Sequence, residues 1–393
     1  MNITFLLRLW PVYGGGETVT ICLANEMIKR GWNVSVLYFK NNTRADLPFI
    51  DPAVKAVQIP DIRCDEFTTR FPDADKVTGY LKEYIQENDI HYLVNQWWPV
   101  EYIRGIRGRY KTKIITCLHQ ALYTPMIEGT GINGFLKKRC TSLYKFWKKR
   151  HSCRQVTKFL PHTDKYIFLS PAFQRQYEQF ANYKNTNSQL GAIPNPLVFP
   201  NEIRPEDLQS KEKTVLLVGR MVEIQKRITR AIKIWSAIEN DPRLDEWNFR
   251  IVGEGPDLAM YKQLTQALGL KRISFEGFRN PQPYYKQAAI FMMTSAFEGF
   301  PMTLVEAQQC GVVPVVMDSY LSLHDIVETG YNGIIVSNED LTGYVNKIKE
   351  LMTDTSLREK LAMNGLHSCR RFCVEEIVNN WEELFNDLSA NRR

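Results

Sequence analysis

The chain of 393 residues contains no run of about 18 apolar residues, the length needed for a helix to cross a bilayer. No transmembrane helix is therefore expected. Its beginning lacks a positively charged segment ahead of an apolar stretch: Ile3-Thr4-Phe5-Leu6-Leu7 runs directly into Arg8. That reads as a first buried strand, not a secretory signal. No Cys-x2-Cys pair occurs among the eight cysteines, which are scattered at Cys22, Cys64, Cys117, Cys140, Cys153, Cys310, Cys369 and Cys373. This argues against a zinc ribbon or a disulfide framework and for buried free thiols in a reducing cytoplasm. Short repeats and low-complexity tracts are also missing.

What is present is ordinary in bulk: 44% hydrophobic residues, 24% charged residues and a formal net charge of +7. Order along the chain says more. Short apolar runs alternate with amphipathic stretches. Strands are expected at Ile3–Leu7, Asn33–Tyr38, Tyr92–Asn95, Lys113–Leu118 and Lys165–Leu169. A second series follows at Thr214–Val218, Asn248–Val252, Ile273–Glu276, Ile290–Thr294 and Val313–Met317. Helices are expected between them, among them Glu17–Arg30, Val77–Glu87, Ile228–Ile238, Pro256–Leu268, Pro283–Ala288, Thr303–Cys310 and Leu323–Glu328. Such alternation predicts parallel sheets covered by helices on both faces. Between the two series lies Ile193-Pro194-Asn195-Pro196-Leu197-Val198-Phe199-Pro200, a stiff extended connector. We therefore expect an α/β protein of two doubly wound domains facing across a cleft. Residues 1–198 would form the first and 199–373 the second, with a C-terminal helix in 374–393 packing back on the first. Ligands bind such sheets at the carboxyl ends of the strands.

Three segments carry candidate chemistry. Gly14-Gly15-Gly16-Glu17 follows the first strand and opens a helix, where free amides and a positive dipole end suit an anion. A tight strand-to-helix turn would look the same. It does not match G-x-G-x-x-G, which disfavours a dinucleotide site. Val218-Gly219-Arg220, with Lys226 beyond it, sets a guanidinium fork and a mobile ammonium beside a strand end, a pairing suited to a diphosphate. The third segment is Glu298-Gly299-Phe300-Pro301-Met302-Thr303-Leu304-Val305-Glu306-Ala307. Its two carboxylates stand eight positions apart, Gly299 and Pro301 mark a turn, and Thr303 is placed to start a helix. Amides from Phe300 to Thr303 would then face an anion. Anion donors beside two acceptors for hydroxyls fit a nucleotide sugar.

On these residues the chain resembles family 4 glycosyltransferases of the GT-B fold over nearly its whole length. The most specific motif is Glu-x7-Glu, from Glu298 to Glu306. Around it stand the glycine loop, Pro194-Asn195-Pro196, Val218-Gly219-Arg220, Lys226, Ile251-Val252-Gly253-Glu254-Gly255-Pro256, Phe275-Glu276-Gly277-Phe278 and Gly311-Val312-Val313-Pro314. The resemblance implies a retaining transfer of a sugar from a nucleotide diphosphate. Arg220 and Lys226 would grip the diphosphate, and Glu306 would bind the ribose. Glu298 would hold the transferred sugar. The segment from Phe300 through Met302 and Thr303 to Leu304 would serve the phosphates, and the backbone at Phe278 the base. Gly15, Gly16 and Glu17 would complete the donor site, with His119 reaching the donor sugar. Charge neutralisation by cations and a helix start removes the need for a metal or other cofactor. The wording Glu298-Gly299-Phe300-Pro301 favours UDP-hexoses or UDP-N-acetylhexosamines over GDP-mannose. A nucleotide-sugar epimerase or a non-catalytic nucleotide-sugar binder is the alternative.

Asp73-Ala74-Asp75 matches a metal-binding D-x-D, but it precedes a helical pattern and reads as capping and first-turn acid. Between Glu128 and Asp164 there is no acidic residue. That segment carries Lys137, Lys138, Arg139, Lys145, Lys148, Lys149 and Arg150, with Phe146 and Trp147 among them. A basic helix with aromatic residues suits an anionic bilayer surface. The partners expected are thus a nucleotide sugar, a glycan or lipid-linked acceptor and the inner membrane face, with no nucleic acid.

Overall fold

The computed structural model describes all residues except 12–14, 42–48, 61, 63–70, 72, 124–140, 200–202 and 391–393, and the side chains of 15 and 141–145 are likewise not described. The chain divides into two compact units. The first comprises the described residues up to Val198 together with those from Phe372 onward, and the second comprises Phe199–Arg371.

The first unit is built on seven strands, β1 (Asn2–Leu6), β2 (Asn33–Tyr38), β3 (Lys55–Gln58), β4 (Tyr92–Asn95), β5 (Lys113–Leu118), β6 (Lys165–Phe168) and β7 (Leu190–Ala192). Their order in the sheet is β3-β2-β1-β4-β5-β6-β7. The second unit has β8 (Glu212–Val218), β9 (Asn248–Val252), β10 (Ile273–Gly277), β11 (Ala288–Met293), β12 (Val313–Asp318) and β13 (Ile334–Ser337), ordered β10-β9-β8-β11-β12-β13. Both ladders are parallel. Phe5, for example, pairs with Val36 on one side and Val94 on the other. Buried on both faces, the central strands are apolar nearly throughout: every residue of β11 is buried. Helices cover the sheets, and Trp235, Ile232, Phe249 and Ile290 lie among the fully enclosed residues of the second core.

Each strand order reverses direction once, between β1 and β4 in the first unit and between β8 and β11 in the second. At these points consecutive crossovers leave to opposite sides of the sheet, and a crevice opens at the carboxyl ends of the two strands. The expected strands all form, four with the expected bounds and the rest with ends moved by one or two residues. Three further strands were not expected. β3 is an exposed edge with the sequence Lys-Ala-Val-Gln, β7 has three residues, and β13 closes the far edge of its sheet. The helix expected at Leu323–Glu328 is instead a short 3-10 turn, Leu321–Asp325. Asp73 stands at the N-cap position of helix Ala74–Glu87, with Asp75 in the first turn, yet its side chain makes no capping bond. No helix among the described residues is long and apolar enough to cross a membrane.

The last helix, Val374–Ala390, belongs to the first unit. Phe385 is fully buried and stacks on Tyr92 of β4 at 4.2 Å and 25°. It also meets Trp32 edge-on at 5.9 Å. The Tyr92 hydroxyl donates to the Phe385 carbonyl at 2.7 Å, and Arg30 pairs with Glu382 at 3.1 Å. Phe385→Ala should therefore cost about 3–5 kcal/mol, as for other buried aromatics. Urea unfolding followed by Trp fluorescence checks this, and an unchanged midpoint would mean the helix adds nothing to the first core.

Candidate active site

In the second unit the loops after β8 and β11 meet at the reversal point. Gly219 donates to Val252 at 3.0 Å, and Met221 donates to Glu254 at 2.7 Å. These bonds continue the β8–β9 ladder past its strands. At Gly253, φ is +141° and an added Cβ would collide with the Gly219 carbonyl, so only glycine permits this closure. The chain then makes the single turn Glu223–Lys226. The Gln225 carbonyl accepts from the amide of Ala296 at 2.6 Å. The Thr294 hydroxyl lies 3.0 Å from the carbonyl of Lys226. These two bonds fix Lys226 beside the loop that carries Glu298.

The side chains complete a short polar chain. The Lys226 ammonium pairs with Glu298 at 2.7 Å, and the two side chains are only 14% and 8% exposed. Gln225 donates to the other Glu298 oxygen at 3.2 Å and accepts from exposed Arg220 at 3.4 Å. Arg220, Lys226 and Glu298 are therefore brought together. Gln225 joins them, a residue that sequence reasoning missed although it directly precedes Lys226.

Helix Met302–Gln309 begins one residue earlier than expected. Pro301, not Thr303, holds the N-cap position, with φ −76° and no side-chain cap. The fixed φ of proline suits a helix start, and without a cap the first-turn amides of Met302 and Thr303 point out of the helix. Phe300 and Leu304 are buried side chains, so they can serve a ligand only through the backbone. Glu306 is also buried, and its carboxylate accepts from the fully enclosed Tyr285 hydroxyl at 3.0 Å. Burial raises the Glu306 carboxyl to about 7, against the opposing effects of the Tyr285 bond and the Lys226 charge. Tyr285 is the second residue the sequence did not reveal: its helix, Gln282–Gln287, was expected, but not its polar tip. Phe278 follows β10 and is half exposed. It lines a groove along that edge strand with Arg250, Glu276, Arg279 and Tyr284, apart from the other expected donor residues.

In the first unit, Gly15 and Gly16 open helix Gly15–Lys29 after β1. A Cβ on Gly16 would come within 3.0 Å of the Trp97 indole, so this glycine makes room for a side chain of the protein itself. Burial raises the Glu17 carboxyl above its ordinary value, while its own backbone amide opposes the shift. His119 follows β5, where its Nε2 bonds Gln96. Burial lowers its imidazolium to about 4, which leaves the ring neutral at physiological pH. In the basic helix Thr141–Thr157, Phe146 and Trp147 are 61% and 66% exposed. Lys148 lies over Tyr123, Lys149 lies over Phe180 at 4.3 Å, and Arg150 is exposed. Lys137, Lys138, Arg139 and the Lys145 side chain lie outside the described residues.

Two doubly wound parallel sheets of this order make up the GT-B fold. Crystal structures agree: HepE of Anabaena in complex with UDP superposes with a TM-score of 0.71 at 18% identity, covering 98% of this chain and 100% of that one. Residues 198–367 match the family model for glycosyl transferases group 1, and residues 13–197 match that for glycosyltransferase family 4. The chain belongs to this family and is a glycosyltransferase. It is 23% identical to a Campylobacter jejuni GalNAc-alpha-(1->4)-GalNAc-alpha-(1->3)-diNAcBac-PP-undecaprenol alpha-1,4-N-acetyl-D-galactosaminyltransferase, over 99% of both chains. It is 26% identical to a lipopolysaccharide 1,6-galactosyltransferase of Escherichia coli, over 89% of both.

The Glu306 environment has a measurable consequence without any ligand. Carbon-13 NMR of labelled glutamates should find one carboxyl titrating near pH 7, absent in Glu306→Gln. Tyr285→Phe removes the bond that favours the charged form and should move that titration upward. Ordinary titration of every glutamate in the wild type would contradict the enclosed geometry.

Proposed function

We propose that this enzyme transfers a hexose or N-acetylhexosamine from a UDP-sugar, with retention at the anomeric carbon, to a lipid-linked surface glycan at the cytoplasmic face of the membrane. The observation that carries the reading is the Lys226–Glu298 pair, joined through Gln225 to Arg220 at the reversal point of the second sheet. A nucleotide diphosphate leaves with added negative charge. A guanidinium, an ammonium and the positive dipole ends of uncapped helix amides are suited to neutralise that charge. Glu298 then faces sugar hydroxyls as an acceptor, and Glu306 faces the ribose. His119 is carried over from the family resemblance as a contact of the donor sugar. With the cations supplied by the protein, transfer proceeds without a divalent metal. The undecaprenol-linked and lipopolysaccharide acceptors in the relatives' names support a lipid-borne acceptor. UDP in the HepE complex supports the base. The exposed Phe146 and Trp147 among lysines and arginines support contact with an anionic bilayer.

Arg220→Ala and Glu306→Ala should each weaken UDP binding by about 1.5–3 kcal/mol, the worth of a charged hydrogen bond. Glu298→Ala should spare UDP and reduce transfer. Calorimetry with UDP and a panel of UDP-sugars scored for hydrolysis read both effects, and hydrolysis should persist in excess EDTA. A strict requirement for Mg2+ or unaltered UDP affinity in the first two variants would overturn this assignment.

The membrane contact is tested separately, by sedimentation with phosphatidylserine vesicles. Each basic residue near an anionic surface contributes about 1 kcal/mol, and salt screens it. Binding should occur at low salt, fall at high salt, and drop in the variant with Lys148, Lys149 and Arg150 all replaced by Ser. Wild type that stays in the supernatant at low salt would remove the membrane from the proposal.

A further inference from the structure

The two helices that carry Tyr285 and Glu306 are joined a second time, at the edge of the sheet where the strands start. Lys211 directly precedes β8 and caps the 3-10 turn Pro205–Ser210. Its neighbour Glu212 pairs with Ala288, the first residue of β11, so the lysine stands where helix Gln282–Gln287 finishes. The ammonium donates to the carbonyls of Tyr285 at 3.0 Å and Lys286 at 2.7 Å, in the last turn of that helix. It also donates to the carbonyl of Cys310 at 2.5 Å, at the C-cap of helix Met302–Gln309. Three carbonyls take all three of its donors.

The last carbonyls of a helix lack intrahelical partners, and the dipole makes that end negative. One compact ammonium meets both ends at once. Gly311, at φ +67°, turns the chain away after Cys310, and a Cβ there would meet the Leu208 side chain at 2.3 Å. The turn that ends in Lys211 therefore packs directly on the end of the second helix. Phe199 lies against Tyr285, with ring centroids 6.3 Å apart, and its carbonyl accepts from Gln309 at 2.8 Å. Burial lowers the Lys211 ammonium to about 8, against the opposing effects of Cys310 and Asp207, so it is charged at neutral pH. The Cys310 thiol, with Lys286 and Glu306 also within its field, is raised to about 12, chiefly by burial. Where the same two helices meet side by side, the Tyr285 hydroxyl donates to Glu306 at 3.0 Å. A slide of either helix by one residue's rise, about 1.5 Å, would break that bond.

We propose that Lys211 is a positioning residue for the nucleotide: by tying the two helix ends together it keeps the Tyr285 hydroxyl on Glu306 and so aims the Glu306 carboxylate at the ribose. The ribose rests on the proposed donor, whereas the hold of Lys211 on Glu306 does not.

The test is a double-variant cycle on the full chain, read by carbon-13 NMR of the glutamate carboxyls. Lys211→Met keeps the apolar stem and removes the donors. It should move the Glu306 titration upward from about 7, as Tyr285→Phe does. The double variant should titrate where Tyr285→Phe alone does, because the lysine acts through the tyrosine. An unmoved titration in Lys211→Met, or an equal further shift on top of Tyr285→Phe, overturns the proposal, the second by showing that the ammonium acts through its charge alone. Should Lys211→Met fail to fold, the wild type supplies the measurement. The neutral amine has one N–H fewer, so a rise through pH 8 releases one carbonyl. The Tyr285 ring carbon that bears the hydroxyl, identified by its absence in Tyr285→Phe, should then show a second step near pH 8 beyond that of Glu306. A Tyr285 signal that follows Glu306 alone overturns the hold. Calorimetry tests the ribose. Wild type should prefer UDP about tenfold over 2′-deoxy- or 3′-deoxy-UDP, and Lys211→Met should lose most of that preference while its affinity for the deoxy probe is unchanged. An unaltered preference in Lys211→Met overturns the aiming of Glu306. If wild type binds UDP and both deoxy probes alike, the ribose assignment of the donor reading fails, and the NMR cycle alone decides whether Lys211 holds Glu306.

Discussion

A parallel ladder makes every strand start at one edge of its sheet and end at the other. No hairpin can satisfy it, so each strand needs a helix or long crossover to return. Everything chemical in this enzyme depends on that constraint. Among the described residues it gathers thirteen strand ends onto two edges. At the single reversal in each sheet, neighbouring loops diverge instead of packing over one another. Arg220 and Glu298 are 78 residues apart in number but belong to loops after adjacent strands, β8 and β11. Gly16, Trp97 and His119 are placed by the same rule after β1, β4 and β5.

The second unit then answers an electrostatic difficulty. Glu298 and Glu306 are buried carboxylates, and burial penalises charge. The protein treats them differently. Glu298 has an ammonium and an amide in contact, whereas Glu306 has a phenol in contact and the Lys226 charge farther off. In the proposed reaction that difference is useful. Its pKa raised by burial, Glu306 meets hydroxyl donors without a fixed counter-charge.

The strands were legible in the sequence because buried parallel strands are apolar on both faces, as in Ile290-Phe291-Met292-Met293. Edge strands β3, β7 and β13 escaped notice because a short edge has one neighbour and little need of an apolar run. The order of motifs exposed Arg220, Lys226, Glu298 and Glu306 for the same reason that it exposed the family: each sits at a fixed distance from a strand end. Gln225, Tyr285, Gln96 and Trp97 were not legible. Their importance lies in which atom meets which across the fold, and an aromatic or an amide in a helical pattern does not announce its partner. At Gly16 the structure adds a packing reason beside the one the sequence suggested, since an indole lies where a side chain would stand.

The last helix has a consequence for biosynthesis. The first sheet is complete once Ala192 has been made, but Phe385, which covers Tyr92 and Trp32, belongs to that core and lies beyond the whole second unit. On the ribosome the first unit must wait, with an apolar face uncovered, while about 170 further residues emerge and fold. The first unit therefore depends for its last layer on residues made after the whole of the second. A ribosome that stalls late releases a chain whose second unit is whole and whose first is not.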